Sequence, residues 1–187
     1  MQFVRQREPD EMIILLVCFA GFSEYMVSAS RFNLGDHIPV SLIFAFAVLT
    51  GPIIGIVGLL IATFLLHWTG KLLDGKSDYR MLRAAVAWSF VPIICYSVLW
   101  IPQYLILGDV LFQSRIVIYG SKAHLLIVGL NVFRLMIVIW SIVIFLNCLC
   151  EVQKFTIWKA LGNCLMSAAI FWTVILFIAA VIGVTIS

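Results

Sequence analysis

The stretch GPIIGIVGLLIATFLLHWTGKLLDGKSDYRMLRAAVAWSFVP, from Gly51 to Pro92, decides the fold. It begins and ends as apolar sequence, and between the apolar parts lie the charged residues Lys71, Asp74, Lys76, Asp78, Arg80 and Arg83. The whole chain is 64% hydrophobic and 11% charged, whereas a water-soluble domain is about 45–50% apolar and about 25% charged. This excess of apolar residues predicts an integral membrane protein that contacts the lipid bilayer directly. The net charge of +3 is too small to indicate a nucleic-acid partner.

Five segments are long and apolar enough for transmembrane helices, which need about 20 such residues. They are Met12–Ser30, Val40–Gly70, Ala84–Leu107, Leu125–Cys150 and Ala160–Ile186. The first follows Arg5 and Arg7 as a signal peptide would, but Glu24 interrupts its apolar part, so we interpret it as a retained span. We therefore predict an all-α fold, a single polytopic domain over residues 1–187 that forms a five-helix transmembrane bundle.

The distribution of Lys and Arg predicts the orientation of this bundle, because cytoplasmic connections are enriched in both. Eight lie before the first span or in the second and fourth connections (Arg5, Arg7, Lys71, Lys76, Arg80, Arg83, Lys154 and Lys159), and three lie in the first and third (Arg31, Arg115 and Lys122). We expect a cytoplasmic N-terminus and a C-terminus outside. The second connection is then a cytoplasmic turn that offers lipid headgroups or protein partners the residues Lys71, Asp74, Gly75, Lys76, Ser77, Arg80 and Arg83. Each Lys or Arg there contributes about 1 kcal/mol of attraction to an anionic leaflet.

Small residues in the second span indicate close helix packing. Gly51, Gly55, Gly58 and Ala62 follow one another at helical spacing and form one stripe. Small residues let a second backbone approach closely in lipid, so the stripe predicts a packing face and a candidate seam for a homo-oligomer; a substrate groove is the alternative.

In the third span, Pro92 and Pro102 predict kinks, with neighbouring helices satisfying the freed carbonyl groups.

Polar side chains inside the spans are candidate functional residues, because a charge at mid-membrane costs about 2.5–3.5 kcal/mol on insertion scales. These are Glu24, Asn131, Arg134 and, near the cytoplasmic end of the second span, His67. We predict an ion pair between Glu24 and Arg134, helped by Asn131, that fixes the register of two helices. The same residues could instead line a polar path that senses or conducts ions.

The sequence gives little support to metal binding or catalysis. Asp36, His37, Asp109 and His124 would form a metal site only if three connections converged, so we predict no metal and no cofactor. The five cysteines lie in or beside apolar runs and are interpreted as small apolar side chains. No HExxH, GxSxG, GxxxxGK[ST] or strand-associated GxGxxG motif occurs, and we expect a protein that is not an enzyme.

The residues Gly75, Lys76, Ser77 and Pro92 carry a resemblance. Here a helix ends in a turn similar to Gly-Gly-Lys-Ser-Phe, and an amphipathic segment and an Ala/Ser-rich helix with a proline follow. This order resembles the core of the Yip (Ypt-interacting protein) domain family, notably its bacterial members. Asp74 replaces the usual first glycine, and Tyr79 stands near the usual phenylalanine. The resemblance implies five spans, a cytoplasmic N-terminus and a multi-pass protein of the inner (cytoplasmic) membrane, and it supplies no catalytic residues.

Two functions fit these observations. The first is a non-enzymatic membrane protein that organises partner proteins or lipids, with partners at the cytoplasmic turn. The second is a small transporter or channel for an ion, metal or small solute that uses the intramembrane polar residues. A wet cavity connecting Glu24 and Arg134 to a surface would favour transport, and a dry pair sealed between helices would favour a structural role.

Overall fold

Helices account for the regular structure of the chain. The computed structural model describes residues 10–113 and 120–186, and within those ranges there is no strand. The α-helices of this described part are α1 (Asp10–Arg31), α2 (Val40–Leu72), α3 (Tyr79–Ser89), α4 (Val91–Ser97), α5 (Trp100–Leu107), α6 (Gly120–Gln153) and α7 (Ile157–Ile186), with 3-10 helices at Leu34–Asp36 and Gly108–Phe112. Five stretches of the described chain are long and apolar enough to cross a membrane: Glu11–Arg31, Val40–Leu72, Tyr79–Leu107, Val128–Gln153 and Ile157–Val181. The predicted all-α membrane fold with five spans is therefore confirmed.

The third span is three short helices rather than one kinked helix. Pro92 is the second residue of α4 and Pro102 the third of α5, so both stand in a first turn, where a missing backbone N–H costs nothing. The Ser89 carbonyl group at the end of α3 accepts a hydrogen bond of 2.5 Å from Ser141 Oγ on α6. This hydrogen bond ties α6 to the end of α3, next to the start of α4.

The helices group into two compact units. One comprises Met1–Gly58 with Ala87–Ile144, and the other Leu59–Val86 with Phe145–Ser187. Both α2 and α6 contribute residues to each unit, which explains why no composition shift or linker marks a boundary in the sequence.

In the first unit, α1 crosses α2 at glycines. A methyl group added to Gly51 would lie 2.8 Å from the Phe22 Cα, and one added to Gly21 would lie 2.7 Å from the Gly55 nitrogen. The two backbones are therefore in contact, which only glycine permits. Of the predicted stripe, Gly51 and Gly55 lie in this crossing, whereas Gly58 has no neighbour within 4 Å of an added Cβ and Ala62 is half-buried.

Aromatic side chains close one end of the same unit. Trp100 stacks on Phe112 with ring centroids 5.9 Å apart, and Phe44 meets Tyr104 and Phe112 edge-on. Around them pack apolar residues of α1 and α2, namely Met26, Val27, Ala29, Val40, Ile43 and Ala47. This core holds α5 and the following 3-10 helix against the ends of α1 and α2.

Candidate functional site

The turns that end α2 and α6 have the same backbone geometry. The Gly75 N–H donates to the Gly70 carbonyl oxygen at 2.8 Å, and the Phe155 N–H donates to the Cys150 carbonyl oxygen at 3.0 Å. Each of these bonds closes a Schellman cap, which places the preceding residue in the left-handed region. Asp74 has a φ of 64° and Lys154 a φ of 57°. Both helices therefore end in a strained cap at a residue that is not glycine.

Gln153 joins the two turns. Gln153 is 1% exposed, and its side-chain Nε2 donates to the Leu66 carbonyl oxygen at 3.2 Å. The main-chain carbonyl oxygen of Gln153 accepts a hydrogen bond of 3.4 Å from the Lys76 N–H. The side chain lies against Gly70 and Gly75, where an added Cβ would collide with it. The two caps are thus held together by one buried amide, and we call their shared surface, residues 71–80 with 151–159, the paired-turn face.

Further polar side chains lie buried beneath this face. The single hydroxyl proton of Thr69 lies between two acceptors, Asn163 Oδ1 and the Leu65 carbonyl oxygen at 2.7 Å, and Thr69 Oγ1 can in turn accept a hydrogen bond from Ser167 Oγ at 2.7 Å. Asn163 also donates from Nδ2 to the Leu66 carbonyl oxygen at 3.3 Å. Because a polar group left unpaired in lipid would be costly, these bonds fix α7 against α2 in one register.

The outer surface of the paired-turn face is basic and rich in apolar side chains. Its exposed cations are Lys71, Lys76, Arg80, Lys154 and Lys159, and its exposed acids are Asp74, Asp78 and Glu151. Lys154 and Glu151 pair with each other at 2.8 Å, and Lys159 Nζ lies 3.4 Å from the Leu73 carbonyl oxygen. Trp158 is 78% exposed, and Leu72, Met81 and Ile157 are exposed beside it. Tryptophan and lysine in this arrangement are typical of a membrane–water interface.

Comparison with known families identifies this architecture. A family model described as the Yip1 domain matches residues 4–184, nearly the whole chain. The chain belongs to the Yip1 domain family. No curated protein and no solved structure matches it.

The cap at the end of α2 carries a residue with a Cβ in a conformation that favours glycine. Asp74 has a φ of 64°, which glycine adopts without strain. The predicted turn residues Lys71, Lys76 and Arg80 are exposed, while Ser77 and Arg83 are half-buried. The Yip1 domain of this chain therefore presents three of its predicted turn cations to the surroundings.

His67 lies on α2 within the same unit. Its ring meets the Tyr79 ring edge-on with centroids 5.9 Å apart, and its Nδ1 is buried without a hydrogen-bond partner among the described residues. The Thr63 hydroxyl, one turn earlier, is likewise buried without a partner in the described part of the chain. The contact with Tyr79 places His67 at the base of the turn.

The residues predicted to form an intramembrane pair lie in the first unit and are not brought together. No ion pair within 4.0 Å joins Glu24 to Arg134 among the described residues, because Glu24 is exposed on α1 while Arg134 is half-buried on α6. Arg134 and Asn131 instead line a cavity of about 180 Å³ with residues of α1, α4 and α5. Glu24 does not line it.

The metal candidates remain separate in the described part of the chain. Asp36 and His37 are exposed, and Asp109 accepts a hydrogen bond of 3.1 Å from Tyr104 Oη. The side chain of His124 lies outside the described residues. Within the residues described, no three His, Cys, Asp or Glu side chains come together as metal ligands would.

Sequence reasoning missed the residues that build the paired-turn face from within. Gln153, Asn163 and Thr69 are buried, and none was singled out as a candidate. A signal for Asn163 was present, because Asn163 and Ser167 are polar residues one helical turn apart in an apolar span. Gln153 gave no such signal, since a polar residue at the end of a span usually points to water.

Proposed function

We propose that this Yip-family chain is a non-enzymatic multi-pass protein of the inner membrane that organises anionic lipids and partner proteins at its paired-turn face. The observation that carries the proposal is a basic surface on two turns that buried hydrogen bonds hold together. Exposed Lys71, Lys76 and Arg80 surround a turn that Gln153 holds in place. A fixed cluster of cations attracts anionic headgroups without first ordering the backbone that carries them.

Lipid selectivity tests this proposal. Reconstituted in mixed phosphatidylcholine and phosphatidylglycerol, the protein is expected to favour spin-labelled phosphatidylglycerol, measured by electron paramagnetic resonance. The triple variant Lys71→Gln, Lys76→Gln, Arg80→Gln should lose most of this preference, because each removed cation takes away about 1 kcal/mol of attraction near the surface. Salt should weaken the wild-type preference in the same direction.

Lys154→Gln is the matched control. Lys154 lies on the same face, but its charge is already paired with Glu151 at 2.8 Å. Its loss should change the preference much less than the loss of any one of the other three cations. Unchanged selectivity in the triple variant would refute the lipid part of the proposal.

A small transporter or channel is the second candidate. The cavity beside Arg134 favours it, because an intramembrane cation usually pairs or lines a polar space. Glu24 is not among the residues that line this cavity, so the polar path expected for transport lacks one of its predicted members. We therefore rank organisation of lipids and partners first.

A further inference from the structure

The cavity in the first unit has a mixed polar and apolar lining that includes one cation. It has a volume of about 180 Å³, more than ten times the 10–15 Å³ or so that one water molecule requires. Its polar lining includes Arg134, Asn131, Gln103, Ser30 and Asn33, and none of the described residues that line it is acidic. A space of this size can admit a small charged group together with water.

Arg134 is a half-buried cation without a partner among the described residues. No ion pair or hydrogen bond links its guanidinium group to another side chain in the described part of the chain. A guanidinium group presents five N–H donors in a planar fork that matches the oxygen atoms of a carboxylate or phosphate. In a membrane protein an unpaired buried cation is costly, so a bound anion would lower the free energy of the folded state.

A second donor, on a residue of the lining, is buried beside the cavity without an acceptor in the described part of the chain. Trp100 lines the cavity and is 6% exposed, and its Nε1–H is buried with no acceptor among the residues described. Buried indole N–H groups usually find a partner, because leaving one unpaired costs about 1–3 kcal/mol. The Trp100 ring is fixed by stacking on Phe112, so this donor cannot easily turn away.

Two of the neighbouring polar groups are already engaged with the protein. Gln103 Nε2 is directed to Tyr96 Oη at 3.3 Å, and Ser30 Oγ donates to the Leu111 carbonyl oxygen at 2.7 Å. Asn131 lies three residues before Arg134 on α6, so both side chains reach the same space. Ser30 and Leu107 stand at the last turns of α1 and α5, which places the cavity at the end of these spans, where lipid headgroups are found.

We propose that this cavity binds the oxyanion of a phosphate group through Arg134 and Asn131. The phosphate can belong to a lipid headgroup or be free in solution, since the recognising chemistry is the same. The site lies in the unit that does not carry the paired-turn face, so either proposal can fail without the other.

Thermal unfolding in an uncharged detergent tests the proposal with three probes: dihexanoyl phosphatidylglycerol, inorganic phosphate and dioctanoylglycerol. The first two should raise the unfolding temperature saturably, and dioctanoylglycerol, which lacks a phosphate, should not. Stabilisation by phosphatidylglycerol alone identifies a lipid as the source, and equal stabilisation by inorganic phosphate identifies a soluble anion.

Variants then assign the site. Arg134→Gln should weaken binding about tenfold or more, because two charge-assisted hydrogen bonds are lost. Arg31→Gln, an exposed arginine of the same unit that does not line the cavity, should bind as the wild type does. The triple variant of the paired-turn face should also bind normally.

Two further variants cover the case in which Arg134→Gln does not fold. Arg134→Lys keeps the charge but loses the planar fork, and Asn131→Ala removes one donor from an exposed residue; each should weaken binding several-fold. Wild-type affinity in both of these variants, or equal stabilisation by dioctanoylglycerol, would overturn the proposal. So would the failure of both phosphate probes to stabilise the wild type.

Discussion

Asp74 occupies a backbone conformation that L-residues adopt at a cost. Its φ of 64° lies in the left-handed region, where a residue with a Cβ is about 1–2 kcal/mol less stable than glycine. Asp74→Gly should therefore raise the free energy of unfolding, and Asp74→Ala should give the least stable protein of the series. Asp74→Asn is the control for charge, because asparagine tolerates the conformation and carries no carboxylate. Thermal unfolding in detergent gives the order, and an alanine variant as stable as the glycine variant would contradict it.

At the residue scale, a sequence indicates the position of a turn more readily than the distant side chains that pack against it. Gly75 and Lys76 follow a long apolar segment, so a turn at this point was predictable from their order. The Gln153 side chain fills the space that a Cβ on Gly75 would need. This requirement for glycine was not predictable, since 78 positions separate the two residues in the chain. Glu24 and Arg134 form no ion pair among the described residues, and their relation depends on a similar unknown. Helical depth can be estimated from spacing, but which face of α1 meets α6 depends on packing.

At the scale of elements, the crossing of α1 and α2 depends on glycine at some positions and not at others. Gly51→Ala would bring a methyl group to 2.8 Å from the Phe22 backbone, so the helices must separate at a cost of about 1–3 kcal/mol. Gly58→Ala, on the same helix, meets nothing within 4 Å and should be neutral or slightly stabilising. Unfolding temperatures in detergent measure the difference. Equal losses in both variants would indicate that the helix, and not the crossing, requires glycine.

The same comparison shows what a small-residue stripe can predict. The spacing of Gly51, Gly55, Gly58 and Ala62 identifies a face, and the structure uses the first two members of it. Gly58 is exposed and has no neighbour within 4 Å of an added Cβ, and the spacing of residues on one helix does not determine the angle at which a second helix crosses it. In the third span, by contrast, residue positions alone indicate where the helix is interrupted. Two prolines predicted its interruptions, and their positions in first turns follow from the missing backbone N–H.

At the scale of the whole molecule, composition predicts the number of spans and leaves their grouping open. Apolar runs of about 20 residues are read directly from the chain, because in lipid every backbone group must be satisfied within a helix. The division into two units was not predictable, because α6 and α7 are apolar around most of their circumference and offer no distinct inner face. Hydrogen bonds among the buried polar residues Thr69, Asn163 and Ser167 determine which face of α7 packs against α2, which the apolar surface alone does not determine.

The orientation of the five spans in the membrane is predicted by the distribution of Lys and Arg between their connections. The excess of Lys and Arg in the second and fourth connections predicts that the paired-turn face is cytoplasmic, and the connection between α1 and α2 lies at the other end of α2. In a background with all five cysteines replaced by alanine, His37→Cys should react with a membrane-impermeant maleimide on sealed right-side-out vesicles. Asp78→Cys and Thr156→Cys, also at exposed positions, should react only after the vesicles are opened. Leu135→Cys, exposed on the apolar surface of α6, is the control that should resist labelling in both preparations. The reverse pattern would keep five spans and invert the protein, whereas labelling of His37→Cys and Asp78→Cys from the same side would show that α2 does not cross the membrane.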